Sequence, residues 1–416
     1  GRGERHTVLH AHGRGTTITP LSETLFPHSL GLYYGTITQF LGHKPDSDEW
    51  KVMALASYAD GHNEFYPVLR DAIDVDDEGR LSLDLRYFEF FNFWDRRMYS
   101  DRLVRALGAP REKGAAYTER DHKIAAAMQR VFEEVTTQLL THLHDKTGSD
   151  KLVVAGGCFM NSVFNGKISQ VTPFREVHIG FAPDDSGTSL GAAAWLHAAR
   201  TGRRPAPLST ACLGFAYNEE RVARTLAGFK IPHTRSADAC ADAAKDLADG
   251  KLIGWFQGRS EFGQRALGNR SILADPRRAE TKDAVNAAVK FREAFRPFAP
   301  AILAEKVEEY FECGSEARVP FMEKVLQFRE AKKHEVQAVV HADGSGRLQS
   351  VRREDNPRFY AVIDAFGALT GVPIVLNTSF NLNGEPNVET PEDAIRTFYS
   401  CGLDVLYLGD FRVTKA

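Results

Sequence analysis

Apolar positions recur at spacings of three and four from Ile124 through Met128, Val131, Val135 and Leu139 to Leu143. At 3.6 residues per turn these side chains share one stripe, which predicts an amphipathic helix packed on a core and ended at Gly148. The pattern then changes. Lys151-Leu-Val-Val-Ala reads as a short buried strand running into Gly156-Gly157, and Val177-His-Ile as a second. Asp185-Ser-Gly187 leads into an Ala-rich helix that reaches Arg200. Helix and strand alternating through glycine turns is the grammar of an α/β fold.

Upstream, residues 27–60 mix aromatic and β-branched runs with a Pro-Asp-Ser-Asp turn, and the Arg-rich aromatic stretch from about Arg80 to Arg111 predicts no definite element. Downstream, Thr201-Gly-Arg-Arg-Pro-Ala-Pro207 combines a helix stop with two prolines and serves as a linker, dividing the chain into domains 1–203 and 204–416. The second domain has a predicted helix over Ala237–Ala248 and a strand over Lys251–Phe256. Further strands are predicted at Gln337-Ala-Val-Val and Pro373-Ile-Val-Leu, with a closing helix from Thr390 to Ser400. Thr390-Pro-Glu-Asp has the form of an N-cap, a first-position proline and first-turn acids.

The 416 residues are 43% hydrophobic and 26% charged, which excludes a disordered or fibrous chain and leaves room for two or three domains. A net charge of -3 gives no electrostatic reason to expect nucleic acid or an anionic membrane as partner. No apolar run approaches the roughly 18 residues of a bilayer span. The five scattered cysteines form no CxxC pair, so neither a disulfide scaffold nor a Cys-ligated zinc is expected, and a reducing cytoplasm is the simple location. The first residues are Gly1-Arg2-Gly3 rather than Met, the beginning expected of a fragment or processed form.

Chemistry concentrates in a few segments. Gly258-Arg-Ser-Glu-Phe-Gly-Gln-Arg-Ala-Leu-Gly-Asn-Arg-Ser271 places three arginines and several glycines directly after a strand. Glycines let backbone amides approach an anion, and guanidinium forks match phosphate or carboxylate oxygens in pairs; the competing reading is a solvated surface turn. Lys290-Phe-Arg-Glu-Ala-Phe-Arg-Pro-Phe-Ala-Pro300 interleaves cations with phenylalanines, as either an anion platform or a core edge. Asn377-Thr-Ser-Phe-Asn381 puts polar groups at a strand end, for a ligand or for a turn. Gly156, Gly157 and Asn161 form one candidate nucleotide turn. Asp185 lies in another, as a metal ligand or a plain N-cap. His6, His10 and His12 read as ordinary surface histidines.

Together, Pro27-His-Ser-Leu-Gly-Leu, Glu49-Trp-Lys-Val-Met, Ala155-Gly-Gly-Cys-Phe-Met-Asn161, the long Gly258–Arg277 segment, Phe295-Arg-Pro-Phe-Ala-Pro300 and Asn377-Thr-Ser-Phe-Asn381 resemble the NodU/CmcH-type O-carbamoyltransferases, in the family's order. The resemblance implies a partial actin/hexokinase-like (ASKHA) N-terminal domain and a C-terminal YrdC-like α/β domain. It implies an enzyme that uses ATP and carbamoyl phosphate to form carbamoyladenylate, then carbamoylates a hydroxyl of a small-molecule, antibiotic-like acceptor. It also implies a divalent metal, iron or magnesium. On this basis Arg259, Arg265 and Arg296 are assigned to catalysis, and Asn269, Arg270, Lys290, Arg292, Ser379 and Asn381 to ATP and carbamoyl phosphate. Gly156, Gly157 and Asn161 become the nucleotide turn, and Asp185 the metal ligand. His341-Ala-Asp-Gly resembles a family segment to which no role is assigned.

Two departures stand out. Gln264 replaces the usual proline, and the family's opening His-His-x-x-His-Ala segment has no counterpart, so Asp185 is expected to find its histidine partners in a separate N-terminal segment or subunit. Two other functions compete with this one. tRNA threonylcarbamoyl transfer is disfavoured by the near-neutral charge. A non-catalytic nucleotide-binding subunit is the other. The paired CxxC motifs of the hydrogenase-maturation relatives are absent.

Overall fold

The computed structural model describes residues 5–92, 94–290, 296–314 and 317–415. The chain divides into two compact units, Gly1–Ala206 and Pro207–Ala416.

The first unit pairs β1 (His6–Arg14) with β2 (Thr17–Leu25), and β3 (Ile73–Val75) with β4 (Leu81–Leu83), both antiparallel. Its parallel pair is β5 (Lys151–Val154) with β6 (Glu176–Ile179). The helices are α1 (Leu30–Phe40), α2 (Glu49–Leu55), α3 (Tyr66–Asp71), α4 (Asp101–Leu107), α5 (Glu119–Thr147), α6 (Ser162–Val171) and α7 (Thr188–Thr201). The predicted stripe belongs to α5, where Ile124, Met128, Val131, Val135 and Leu139 are buried. A capping box between Thr118 and Asp121 starts this helix, and Gly148, at φ +61°, ends it in the left-handed conformation. α1 falls in the stretch read as aromatic and β-branched runs. Ser29 caps it, and Thr36 and Thr38 satisfy their buried hydroxyls by donating to the carbonyls of Leu32 and Tyr34 one turn back.

In the second unit, nine strands among the described residues form one mixed sheet. They are β7 (Thr234–Arg235), β8 (Ile253–Phe256), β9 (Arg270–Ala274), β10 (Ala299–Leu303), β11 (Lys324–Gln327), β12 (Ser345–Val351), β13 (Ile374–Ser379), β14 (Val405–Leu408) and β15 (Phe411–Thr414). Their order is β11-β12-β10-β13-β9-β8-β14-β15-β7. The helices are α8 (Glu219–Gly228), α9 (Ala239–Ala248), α10 (Glu280–Val285), α11 (Val307–Tyr310), α12 (Pro357–Thr370) and α13 (Pro391–Tyr399). Alternation along the central strands separates two cores. Ile272, Ile302, Leu348, Ile374, Leu376 and Leu406 pack with side chains of α8, α10 and α13. Leu273, Ala301, Val351, Val375 and Tyr407 pack with α9 and α12. Apolar side chains on both faces are what a sheet between two helical layers requires.

The segment read as a strand at Gln337-Ala-Val-Val is instead a short 3-10 turn, Gln337–Val339. Ala338 and Val339 are buried in the first of those cores, and the backbone N–H of Ala338 donates to Pro276 O. A short apolar run records burial, and burial alone does not choose between strand and helix.

One buried carboxylate ties α9 to the sheet. Asp246, 5% exposed, accepts from Tyr407 Oη at 2.6 Å, from Arg412 Nε and Nη2 at 2.8 and 2.9 Å, and from Lys251 Nζ at 2.7 Å. Burial alone would raise its pKa; the hydrogen bonds from Arg412, Lys251 and Tyr407 outweigh it and hold the group down to about 2. Its stabilisation is therefore complete above the unfolded carboxylate pKa near ~4 and is lost as pH falls through about 2. Asp246→Asn is expected to remove on the order of 2 kcal/mol at pH 7 and almost nothing at pH 2. Thermal unfolding measured across that range should show the variant's pH dependence flattened relative to the parent.

Candidate functional site

The registers bring one end of the large sheet together. Ser379 of β13 lies opposite Ser271 of β9, and Asn377 lies opposite Ala299 of β10. β12 runs parallel to β10 with Gln349 beside Ala301, so the start of β12 reaches the same end. β8 finishes there too, with Phe256 opposite Arg270. The carboxyl ends of β8 and β13 thus meet the amino ends of β9, β10 and β12.

Lys290 is 3% exposed at the end of a π-helical turn, Asn286–Lys290. Its Nζ donates to Ser379 O at 2.6 Å, Ser379 Oγ at 3.2 Å, Asn381 O at 3.0 Å and Asn381 Oδ1 at 2.6 Å. Ser379 Oγ donates to Asn381 Oδ1 at 2.6 Å, and Asn381 Nδ2 to Glu385 O at 2.6 Å. Three residues assigned from two separate segments therefore form one hydrogen-bonded knot. Arg296 stands just before β10, at the same sheet end. Arg292 lies outside the described residues.

The loop arginines have different fates. Arg270 is fully buried with its guanidinium over the Phe256 ring at 3.6 Å. Nη1 donates to the carbonyls of Gln257, Gly258 and Asn269, and Nη2 to those of Phe215 and Gly258. Arg259 is held likewise, by Gly214 O and Leu213 O. Both act as clamps on the backbone. Arg265 differs: it is partly buried and makes no hydrogen bond or ion pair with the described residues, and desolvation pulls its guanidinium down to about 10, still a cation at neutral pH. The next residues anchor it over the site, because Asn377 Nδ2 donates to Ala266 O at 3.2 Å and Gln349 Nε2 to Leu267 O at 2.8 Å.

Asn269 Nδ2 donates to Arg259 O at 2.6 Å, and its Oδ1 accepts from Asn356 Nδ2 at 2.9 Å. The sequence reading passed over Glu261. Its Oε1 accepts from the backbone amides of Leu267, Asn269 and Arg270 at 2.6, 2.9 and 3.3 Å. The loop's amides thus gather around the protein's own carboxylate. The signal was present as the one acid within a cationic glycine-rich segment.

In the first unit, Asn161 caps α6 through Phe164 N and exchanges two hydrogen bonds with Gln129, at 2.9 and 3.2 Å. Gly156 has φ +108°, and its N–H donates to Pro183 O, which sets this turn beside the one holding Asp185. Gly157 begins the short turn Gly157–Met160. The Asp185 side chain is exposed, and among the described residues no group of three or more His, Cys, Asp or Glu side chains is placed to hold a metal ion. The described residues therefore do not fit the expected metal.

A desolvated guanidinium with no partner among the described residues, on a loop bonded to a sheet end of fixed polar groups, is suited to an anion. The comparisons say which kind of enzyme this is. Residues 1–194 match the family described as "Carbamoyltransferase N-terminus" and residues 244–415 the one described as "Carbamoyltransferase C-terminus", so the chain belongs to the carbamoyltransferase family. It is 40% identical over 427 residues to the nodulation protein NolO of Bradyrhizobium diazoefficiens, covering all of this chain and 74% of that protein. An uncharacterised Synechocystis protein is 36% identical over 446 residues, 100% of this chain and 72% of its own. The 3'-hydroxymethylcephem-O-carbamoyltransferase of Amycolatopsis lactamdurans is 34% identical over 295 residues, 69% of this chain and 53% of that enzyme. The resemblance to NodU/CmcH-type enzymes is thereby borne out.

The different fates of the arginines separate under mutation. Arg270→Leu leaves the Gln257 and Gly258 carbonyls without their described donor, while those of Phe215 and Asn269 keep the backbone N–H groups of Ser260 and Gln257, and is expected to cost roughly 3 kcal/mol, about 6–12 °C in Tm for a unit of this size. Arg265→Leu removes a desolvated charge that no described residue pairs with, so Tm should hold or rise. Thermal melts of the two variants side by side check both outcomes.

Proposed function

We propose that this chain is an ATP-dependent O-carbamoyltransferase that makes carbamoyladenylate at the sheet end of its second unit and delivers the carbamoyl group to a hydroxyl of a small-molecule acceptor. The observation that carries this is the knot of Lys290, Ser379 and Asn381 at the sheet end to which the loop of Arg265, a cation with no partner among the described residues, is tied. In this reading residues 204–416 are a YrdC-like adenylate-forming domain, and residues 1–203 the actin/hexokinase-like domain for transfer. The name of the cephem relative supports a small organic hydroxyl as acceptor.

The steps balance. Water cleaves carbamoyl phosphate to carbamate and phosphate. A carbamate oxygen then displaces pyrophosphate from the α-phosphorus of ATP, and the acceptor oxygen attacks the carbamoyl carbon as AMP leaves. Two polyanions must meet in the first stages, so a cation with no partner among the described residues meets the accumulating charge without first giving up a bond to them. Lys290 fixes Ser379 and Asn381 in place and lends its charge to the same end of the sheet.

Pyrophosphate release from ATP plus carbamoyl phosphate needs no acceptor and tests this directly. The parent protein is expected to release pyrophosphate and yield carbamoyladenylate by mass spectrometry. Arg265→Ala should slow release by roughly 100-fold or more, the usual scale for one lost charge-stabilising donor. A folded, ATP-binding preparation that forms no adenylate would rule the reaction out.

A further inference from the structure

The His341-Ala-Asp-Gly segment found no role in the sequence, yet its geometry is specific. His341 N donates to Ser345 O at 2.8 Å and Gly344 N to His341 O at 3.0 Å. Gly344, at φ +80°, supplies the left-handed residue that closes this turn. The turn brings three side chains into line. Ser345 Oγ donates to Asp343 Oδ1 at 2.6 Å, and the backbone N–H of Ser345 reaches the same oxygen at 3.1 Å. Ser345 Oγ lies 3.0 Å from His341 Nδ1. A hydroxyl has one proton, and the carboxylate takes it. Nδ1 must therefore be the donor in the contact with Ser345, which leaves Nε2 as a bare lone pair.

That lone pair is buried and, among the described residues, has no hydrogen-bond partner. Burial, with lesser contributions from Arg347 and Lys282, pulls the imidazole down to about 4 against the opposing effect of Asp343, so the ring stays neutral at physiological pH. A buried acceptor left unmet is costly, and it marks a place where a ligand donor belongs. Arg347 and Lys282 add positive charge to the surroundings of the ring, which narrows what that ligand is. A bare phosphate oxygen suits the two cations but has no proton to offer Nε2. A ligand that carries an N–H next to an anionic group satisfies both. Carbamoyl phosphate is such a molecule, with its amino group on the carbon that bears the phosphate ester oxygen. His341 also stands at the right end of the sheet, because its turn leads into the start of β12, two strands from the end of β13.

We infer that His341 Nε2 accepts a hydrogen bond from the carbamoyl amino group, fixed for that purpose by Ser345 and Asp343, and so makes His341 a specificity-determining residue for the carbamoyl donor. This rests on the function proposed above and adds the group that tells a carbamoyl from an acyl phosphate. Acetyl phosphate is the natural probe, since a methyl group replaces the amino group at nearly the same volume. A site built to accept an N–H rejects the analogue that lacks it.

Binding of carbamoyl phosphate and of acetyl phosphate to the whole chain, measured separately by calorimetry, tests the inference. The parent protein is expected to prefer carbamoyl phosphate by roughly 10-fold or more. His341→Asn keeps an amide that can reach Ser345 but has no acceptor at the Nε2 position, so the preference should fall to near unity through weaker carbamoyl phosphate binding alone. His341→Gln, whose carbonyl oxygen reaches that position, should retain most of it. Three results overturn the inference while leaving the proposed reaction intact: an unchanged preference in His341→Asn, an equal loss for both phosphates, or a loss of ATP affinity alone. If the folded parent binds neither phosphate, the reaction itself is refuted and the inference falls with it.

Discussion

Lys290 carries a full positive charge into a place that excludes water almost completely, and the surrounding structure is arranged around that fact. A desolvated ammonium is tolerable only when oxygens replace its water, and four of them converge from Ser379 and Asn381. Two are backbone carbonyls, so β13 has to end where it does for its last carbonyls to turn toward the lysine. Two are side-chain oxygens, so an apolar residue at either position would leave the charge short of partners. Asn381 is fixed in turn by the carbonyl of Glu385, which carries the constraint into the following loop. The knot is thus both a structural joint and the polar floor of the site.

The other cations show how one residue type serves opposite ends. Arg270 and Arg259 spend their forks on backbone carbonyls, shaping the loop at the amino end of β9. Glu261 works from the other side and gathers three amides of the same loop. A loop tied by its own donors and acceptors keeps a fixed shape, and that rigidity holds the backbone at Arg265 at the sheet end, with no partner for its guanidinium among the described residues. Preorganisation of this kind places the cost of desolvating a charge on folding rather than on the chemical step.

Much of the fold was legible where the pattern is local. The α5 stripe, the Thr390 capping box and the short strands at Lys151 and Val177 follow from periodicity and cap chemistry, and each appears within a few residues of its expected place. α1 was not legible, because its threonines are satisfied one turn back along a helix that only the surrounding core makes worthwhile. Gln337–Val339 misled for the complementary reason, since an apolar run reports the core it faces and not its own dihedral angles. The site divides in the same way. Lys290, Ser379 and Asn381 were found by motif, 89 and 91 positions apart, and only the sheet register explains why they meet. Sequence gave no means of telling Arg270 from Arg265. Five residues apart in one loop, they differ in whether backbone carbonyls surround them, which is a property of the folded chain.

The mixed sheet explains why so many of these groups share one end. In an all-parallel sheet, ligand-binding groups collect at the carboxyl ends of strands, and the amino ends lie on the opposite side. Here β13 runs antiparallel to both β9 and β10, and β12 runs parallel to β10, so one edge holds the last residues of β13 beside the first residues of β9, β10 and β12. Residues are then presented at the same sheet end from a strand's finish, as Ser379 is, from the turn before a strand, as His341 is, and from the loop entering β9, as Arg265 is. Each is anchored by a different neighbour: Lys290 for Ser379, Ser345 for His341, and the Asn377 and Gln349 bonds to Ala266 and Leu267 for the loop of Arg265. The bond from Asn377 Nδ2 to Gln349 Oε1 at 2.8 Å links the strand that ends at Ser379 to the strand that begins at Ser345, so these anchors form one connected end of the sheet rather than separate posts.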